Sequence, residues 1–179
     1  MRLRLVFYLL LFLKLNVAFS APHPLTGSSI VNSTQSNIVY SQLGFKIDLV
    51  PSGWVYRNGS EPNSKSIEMG PSDLKQKTTL SFRLENVSKK TNLEQYVRQY
   101  LRDYNQYGFE VTSLQSNKKN LIPTVVVDLT QKNKQTKSRQ VFFNQNEKLI
   151  IASCIDDFES FDRTLANCNR ILATFQWLK

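Results

Sequence analysis

The chain has 179 residues, 41% hydrophobic and 21% charged, which fits one domain with a packed core and excludes general disorder. Lys and Arg outnumber Asp and Glu by 23 to 14, and six Gly with six Pro rule out a collagen-like or low-complexity chain. One histidine, His23, and two cysteines leave no His/Cys cluster for zinc or copper and no histidine-dependent triad in the folded region, so neither a metal nor a cofactor is expected.

Arg2 and Arg4 lead into the apolar run Leu5 to Leu13, followed by Lys14 and a stretch ending Ala18-Phe19-Ser20-Ala21. This layout predicts a signal peptide over residues 1–20. The run falls short of the roughly 20 residues a spanning helix needs, so cleavage near Ser20 is expected and a stable membrane span is not. An uncleaved signal anchor is the alternative; no cysteine stands there to carry a lipid. The expected compartment is therefore periplasmic or extracellular.

Cleavage removes Arg2, Arg4 and Lys14 and no acid, so the formal charge falls from +9 to +6. A basic exported chain favours anionic surfaces: headgroups, acidic envelope polymers or acidic proteins. The lysines fall in short sets, Lys89-Lys90, Lys118-Lys119, and Lys132, Lys134 and Lys137 with Arg139, and solvated loops are the plainer account of them. Nucleic acid is not an expected partner, because the aromatic stacking strand of RNA binders is missing.

Residues 21–37, rich in Pro, Ser, Thr and Asn, predict a flexible leader, and a single domain is expected over residues 38–179. Asn32, Asn58 and Asn86 stand in N-x-S/T triplets and would accept glycans in a eukaryotic host. Phe45-Lys46-Ile47-Asp48-Leu49 alternates as a half-buried strand and stops at Pro51-Ser52-Gly53-Trp54, with Tyr40 in a partner strand before it. Short strands around Ile67-Glu68-Met69 and from Thr79 to Val87 complete an expected antiparallel meander. Thr91-Asn92-Leu93-Glu94 reads as a capping box. It opens a helix with the stripe Leu93, Tyr96, Val97, Tyr100, Leu101 and Tyr104, closed by Gly108. Four more strands follow, at Phe109–Leu114, Thr124–Leu129, Gln140–Phe143 and Leu149–Ile155, the last two forming a hairpin. Val125-Val126-Val127 and Leu149-Ile150-Ile151-Ala152 are apolar on both faces and so belong to central strands. A second capping box, Asp156-Asp157-Phe158-Glu159, is expected to open a final helix lined by Phe158, Phe161, Leu165, Cys168, Ile171, Leu172 and Phe175. Trp54 and Trp177 are expected to be largely buried. The sum is an α+β fold, an antiparallel sheet of six to seven strands flanked by helices in three layers.

Cys154 and Cys168 make an even pair in an exported chain, which predicts a disulfide. Cys168 lies about 16 Å along its helix and Cys154 about 10 Å back along its strand, so unlinked buried thiols are the alternative.

From about Tyr40 to Trp177 the chain resembles the PsbP-like or DcrB-like domains of exported and envelope proteins, whose fold a Ran-binding nuclear import factor shares. The resemblance rests on Gly44-Phe45-Lys46-Ile47-Asp48-Leu49 before Pro51-Ser52-Gly53-Trp54, on Leu93-Glu94-Gln95-Tyr96, and on Phe161 with Ile171-Leu172-Ala173-Thr174-Phe175-Gln176-Trp177. It implies an exported module without catalysis that acts by binding a protein or envelope component. Photosynthetic members use loop residues and histidines to bind metal or the photosystem, and this chain has no histidine beyond His23. Two other classes remain open: a binder of a small ligand between sheet and helix, and a hydrolase using Asp128, Asp156, Asp157 or Glu159. The last three acids are better explained by the positive helix N-terminus they flank.

Overall fold

A computed structural model describes residues 38–48, 53–58, 64–73, 75–117, 122–133 and 135–179. The expected signal peptide and leader, with Asn32 and His23, lie outside them.

In chain order the elements are β1 (Ile38–Ser41), β2 (Phe45–Asp48), β3 (Trp54–Asn58), β4 (Ser66–Pro71), β5 (Thr79–Asn86), α1 (Leu93–Leu101) and β6 (Phe109–Asn117). There follow β7 (Thr124–Gln131), β8 (Thr136–Gln145), β9 (Lys148–Asp157), α2 (Phe161–Leu172) and β10 (Gln176–Trp177). Seven strands form one antiparallel sheet in the order β3-β4-β5-β9-β8-β7-β6, and β1-β2-β10 form a second, three-stranded sheet. The α+β architecture and the strand number agree with the sequence pattern.

Strand alternation divides the large sheet into two apolar faces. Leu80 and Phe82 of β5, Val141 and Phe143 of β8, and Ile150, Ala152 and Cys154 of β9 meet α2 and Phe45 and Ile47 of the small sheet. Val125, Val127, Leu129, Phe142, Leu149 and Ile151 face Val97 and Leu101 of α1. Strand β9 is central because only a strand covered on both sides can carry apolar residues on both sides, as Leu149-Ile150-Ile151-Ala152 requires. Residues Asn146 and Glu147 turn the β8–β9 hairpin, with Asn146 in the left-handed region at φ 57°.

Cys154 and Cys168 are joined, with their Cα atoms 6.2 Å apart. The obstacle raised by helix length disappears because α2 starts at Phe161 rather than at Asp157, which puts Cys168 only two turns into the helix.

Several local expectations shift. The first strands do not continue one meander: β1 and β2 leave the large sheet and pair with β10, a strand the sequence pattern did not show. Stacking drives this, since the Phe45 ring lies 4.9 Å from Phe82 and 5.0 Å from Phe175. The α1 cap is Asn92, whose Oδ1 accepts the Gln95 amide at 3.1 Å, while the Thr91 amide donates to the Ser88 carbonyl instead. Gly108 does not close α1, which ends at Leu101; it sits at φ 82° after intervening turns and its carbonyl accepts the Lys132 amide at 2.7 Å. At α2 the expected capping box is absent, because Asp156 and Asp157 still pair with Lys137 and Thr136 in the sheet and the cap falls at Ser160. Trp54 and Trp177 pack against the core and are largely covered, as expected, with the remaining exposure set by their places in the edge strands β3 and β10. Leu165 is only partly buried.

Candidate functional site

Helix α1 covers β7, β8 and part of β9, so the β3-β4-β5 half of that sheet face stays open. Register places Glu68, Ser81, Ser153 and Gln140 in one row across it and Ser66 and Arg83 in the next. Ile155 and Val55 are exposed at 38% and 41%. The alternation of Thr79 to Asn86 explains the polarity: Leu80 and Phe82 fill the core on one side, so Ser81, Arg83 and Glu85 must stand on the other.

The wall of this open face is built by Tyr96 and Tyr100, four residues apart on α1 with their rings stacked, and by Tyr104 in the turn that follows the helix, its ring tilted against Tyr100. Their hydroxyls form a connected chain. Arg83 Nη2 donates to Tyr100 Oη at 2.9 Å, Tyr104 Oη donates to Tyr100 Oη at 2.8 Å, and Gln140 Nε2 donates to Tyr104 Oη at 3.3 Å. Tyr96 Oη donates to Glu85, which pairs with Arg83 at 2.8 Å. Burial, with the Glu85 hydrogen bond and charge, pushes Tyr96 up to about 12, and burial raises Tyr100 as well. Both phenols stay protonated at neutral pH. The array can offer hydroxyl and guanidinium contacts to a bound surface, and its phenols are poor proton acceptors. The tyrosines read from sequence as core-facing residues with hydroxyls at the helix margin; Arg83 and Glu85, their partners from β5, were not singled out.

The four carboxylates considered for catalysis do not converge. Asp128 takes a two-pronged pair from Arg139, Nε to Oδ1 at 2.7 Å and Nη2 to Oδ2 at 2.9 Å, tying β7 to β8. Asp157 meets Lys77 at 3.3 Å, and Glu159 is exposed. Asp156 is buried where β9 ends. Its Oδ2 accepts Thr78 Oγ1 at 2.7 Å and also Thr164 Oγ1, and its Oδ1 accepts the Asp157 amide at 2.7 Å. Burial alone would raise this carboxyl, but the hydroxyl and amide donors outweigh burial and hold it below its ordinary value. The group is an anion that fastens the β4–β5 loop and α2 to β9.

A cleft of about 860 Å³ opens at the start of α2 between Lys77, Thr136, Asp157, Phe158, Glu159 and Arg163. Another of about 330 Å³ lies at the start of α1 beside Asn92, Glu94, Pro123 and Asn144. Both sit at helix ends; the space between sheet and helices is taken up by the two core clusters. Among the described residues no group of three His, Cys, Asp or Glu is placed to hold a metal ion, and no helix is long and apolar enough to cross a membrane.

A seven-stranded antiparallel sheet with a helix on each face and a small sheet beside α2 is the fold of PsbP. The solution structure of cyanobacterial PsbP, CyanoP, from Synechocystis sp. PCC 6803 superposes with a TM-score of 0.61 at 13% identity, over 87% of this chain and 99% of that one. LpqN, involved in cell envelope biogenesis of Mycobacterium tuberculosis, superposes with a TM-score of 0.54 at 14% identity, over 81% of this chain and 91% of LpqN. No family profile and no curated sequence matches the chain.

Proposed function

We propose that the protein is an exported, non-catalytic module that works by binding a protein or envelope component. The observation that carries this reading is the use of the acids: Asp128, Asp156 and Asp157 are each committed to a contact that joins elements of the fold. The surfaces left free are an open polar sheet face and exposed lysines, which suit contact with a partner. Likeness in fold to LpqN, which is involved in cell envelope biogenesis, supports an envelope setting.

Covalent crosslinking of the full chain in the envelope of its host, with hydrolase substrates screened in parallel, tests the reading. A saturable crosslinked partner and no turnover are expected. Turnover that disappears in Asp157→Asn or Glu159→Gln, with the fold unchanged, would overturn it.

A further inference from the structure

The antiparallel order sorts the loops of the large sheet into two ends, and unpaired lysines collect at one of them. One end carries the close of β5, the β8–β9 hairpin and the start of β4. Lys148 pairs with Asn86, the Val87 amide donates to the Glu147 carbonyl at 2.9 Å, and the Leu84 amide donates to the Lys65 carbonyl at 2.8 Å. The small sheet brings its turn and the C-terminus to the same end. A Cβ added at Gly44 would stand 3.7 Å from Lys148 Nζ, and the Leu178 amide donates to the Gly44 carbonyl at 2.9 Å. Gln42 Nε2 reaches the Ser64 carbonyl at 3.4 Å, next to Lys65.

Lys65, Lys89, Lys90, Lys148 and Lys179 therefore crowd one end of the domain, all exposed and none in an ion pair among the described residues. Glu147 in the hairpin turn and Glu94 in the first turn of α1 stand at this end too, and Glu61 precedes Lys65 in the same connection. The other end mixes the signs: the acids in the β4–β5 loop, after α1 and around the start of α2 stand among Lys75, Lys77, Arg102, Lys132, Lys137 and Arg163, with ion pairs from Lys77 to Asp157 and from Arg102 to Asp103. The unpaired lysines are therefore concentrated at one end of the strands.

We infer that the lysine end is a docking surface for an anionic phospholipid bilayer, an inference that rests on the binding role proposed above. Charge complementarity is the first argument: five lysines outnumber the acids at this end and none is in an ion pair among the described residues, an excess of like charge that costs stability unless an anionic surface is met. The residue type is the second. Every cation here is lysine, a point charge on a flexible stem, which suits a diffuse field of headgroups better than the forked recognition of one carboxylate or phosphate, where arginine is preferred. Apolar content is the third. Leu178 is 38% exposed beside Lys179 and the partly exposed Trp177, which matches the aromatic and aliphatic residues that settle at a headgroup boundary.

Cosedimentation of the full chain with vesicles of neutral phosphatidylcholine, and of phosphatidylcholine with phosphatidylglycerol, tests this at low and high salt. The readout is the ratio of binding to anionic over neutral vesicles, so any apolar affinity common to both cancels. A ratio well above one that collapses in high salt is expected, falling about fivefold for each lysine removed in Lys89→Ala and Lys148→Ala. The paired control Lys75→Ala with Lys132→Ala, at the opposite, mixed-charge end, should leave the ratio within twofold of the parent. A ratio near one, or equal losses in the two pairs, overturns the inference. A partner protein captured by crosslinking while the ratio stays near one would keep the binding role and discard the bilayer.

Discussion

Reducing the Cys154–Cys168 bond isolates one covalent constraint without changing any side-chain volume. The cysteines are 14 residues apart in sequence, and closing a loop of that size in the unfolded chain is worth about 3 kcal/mol in the chain-entropy model. Both residues are fully buried in the core between α2 and β9, so the freed thiols stay packed and add little desolvation penalty. For a domain of this size the loss lowers Tm by roughly 10 °C. Urea and thermal melts of oxidised protein against protein held in reductant measure it directly, and the m-value should rise slightly as the unfolded chain expands. Equal stability of the two forms, within about 0.5 kcal/mol, would refute the reasoning that the bond acts through the unfolded state.

Ile171→Ala, at a fully buried position, should cost about 2 to 5 kcal/mol, and Leu165→Ala distinctly less, because Leu165 is only partly buried; denaturant melts that rank them in the opposite order would show that the α2 face is misassigned. Asp156 has a lowered pKa in the fold, so it contributes stability that is complete above the unfolded carboxylate value near 4 and is lost as pH falls through the folded value. Asp156→Asn should therefore be less stable at neutral pH and show a flatter acid limb, and an unchanged acid limb would place the group elsewhere. Tyr96 has a raised pKa, so its neutral phenol favours the fold below the unfolded value near 10, and that contribution is lost between there and about 12. Ultraviolet titration should show late-ionising tyrosines that decrease in number in Tyr96→Phe; a single class of tyrosines near pH 10 would contradict the hydroxyl chain.

What was legible in the sequence is what is local. The stripe of α1, the two-faced apolar runs of β7 and β9, and the hairpin between β8 and β9 all follow from periodicities set by neighbouring residues. Contacts between distant segments were not legible. Thr78 and Thr164 reach Asp156 across separations of 78 and 8 residues, and the carboxylate they surround looked like a helix cap because acids commonly stand there. The small sheet escaped notice for the same reason: β10 has two residues, too few for alternation, and it forms because Phe175 stacks on Phe45 and Phe143. The gathering of lysines at one end likewise depends on strand order, which no single loop displays.

Export is the condition on which the disulfide, the envelope partner and the bilayer surface all depend. Intact mass of the protein recovered from outside the cytoplasm of its host, alkylated without reductant and freed of any N-glycan, reads the N-terminus and the cysteine state together. The expected product begins near Ala21 and carries no alkyl group. A cell-retained chain that still begins at Met1 and takes up two alkyl groups would contradict it.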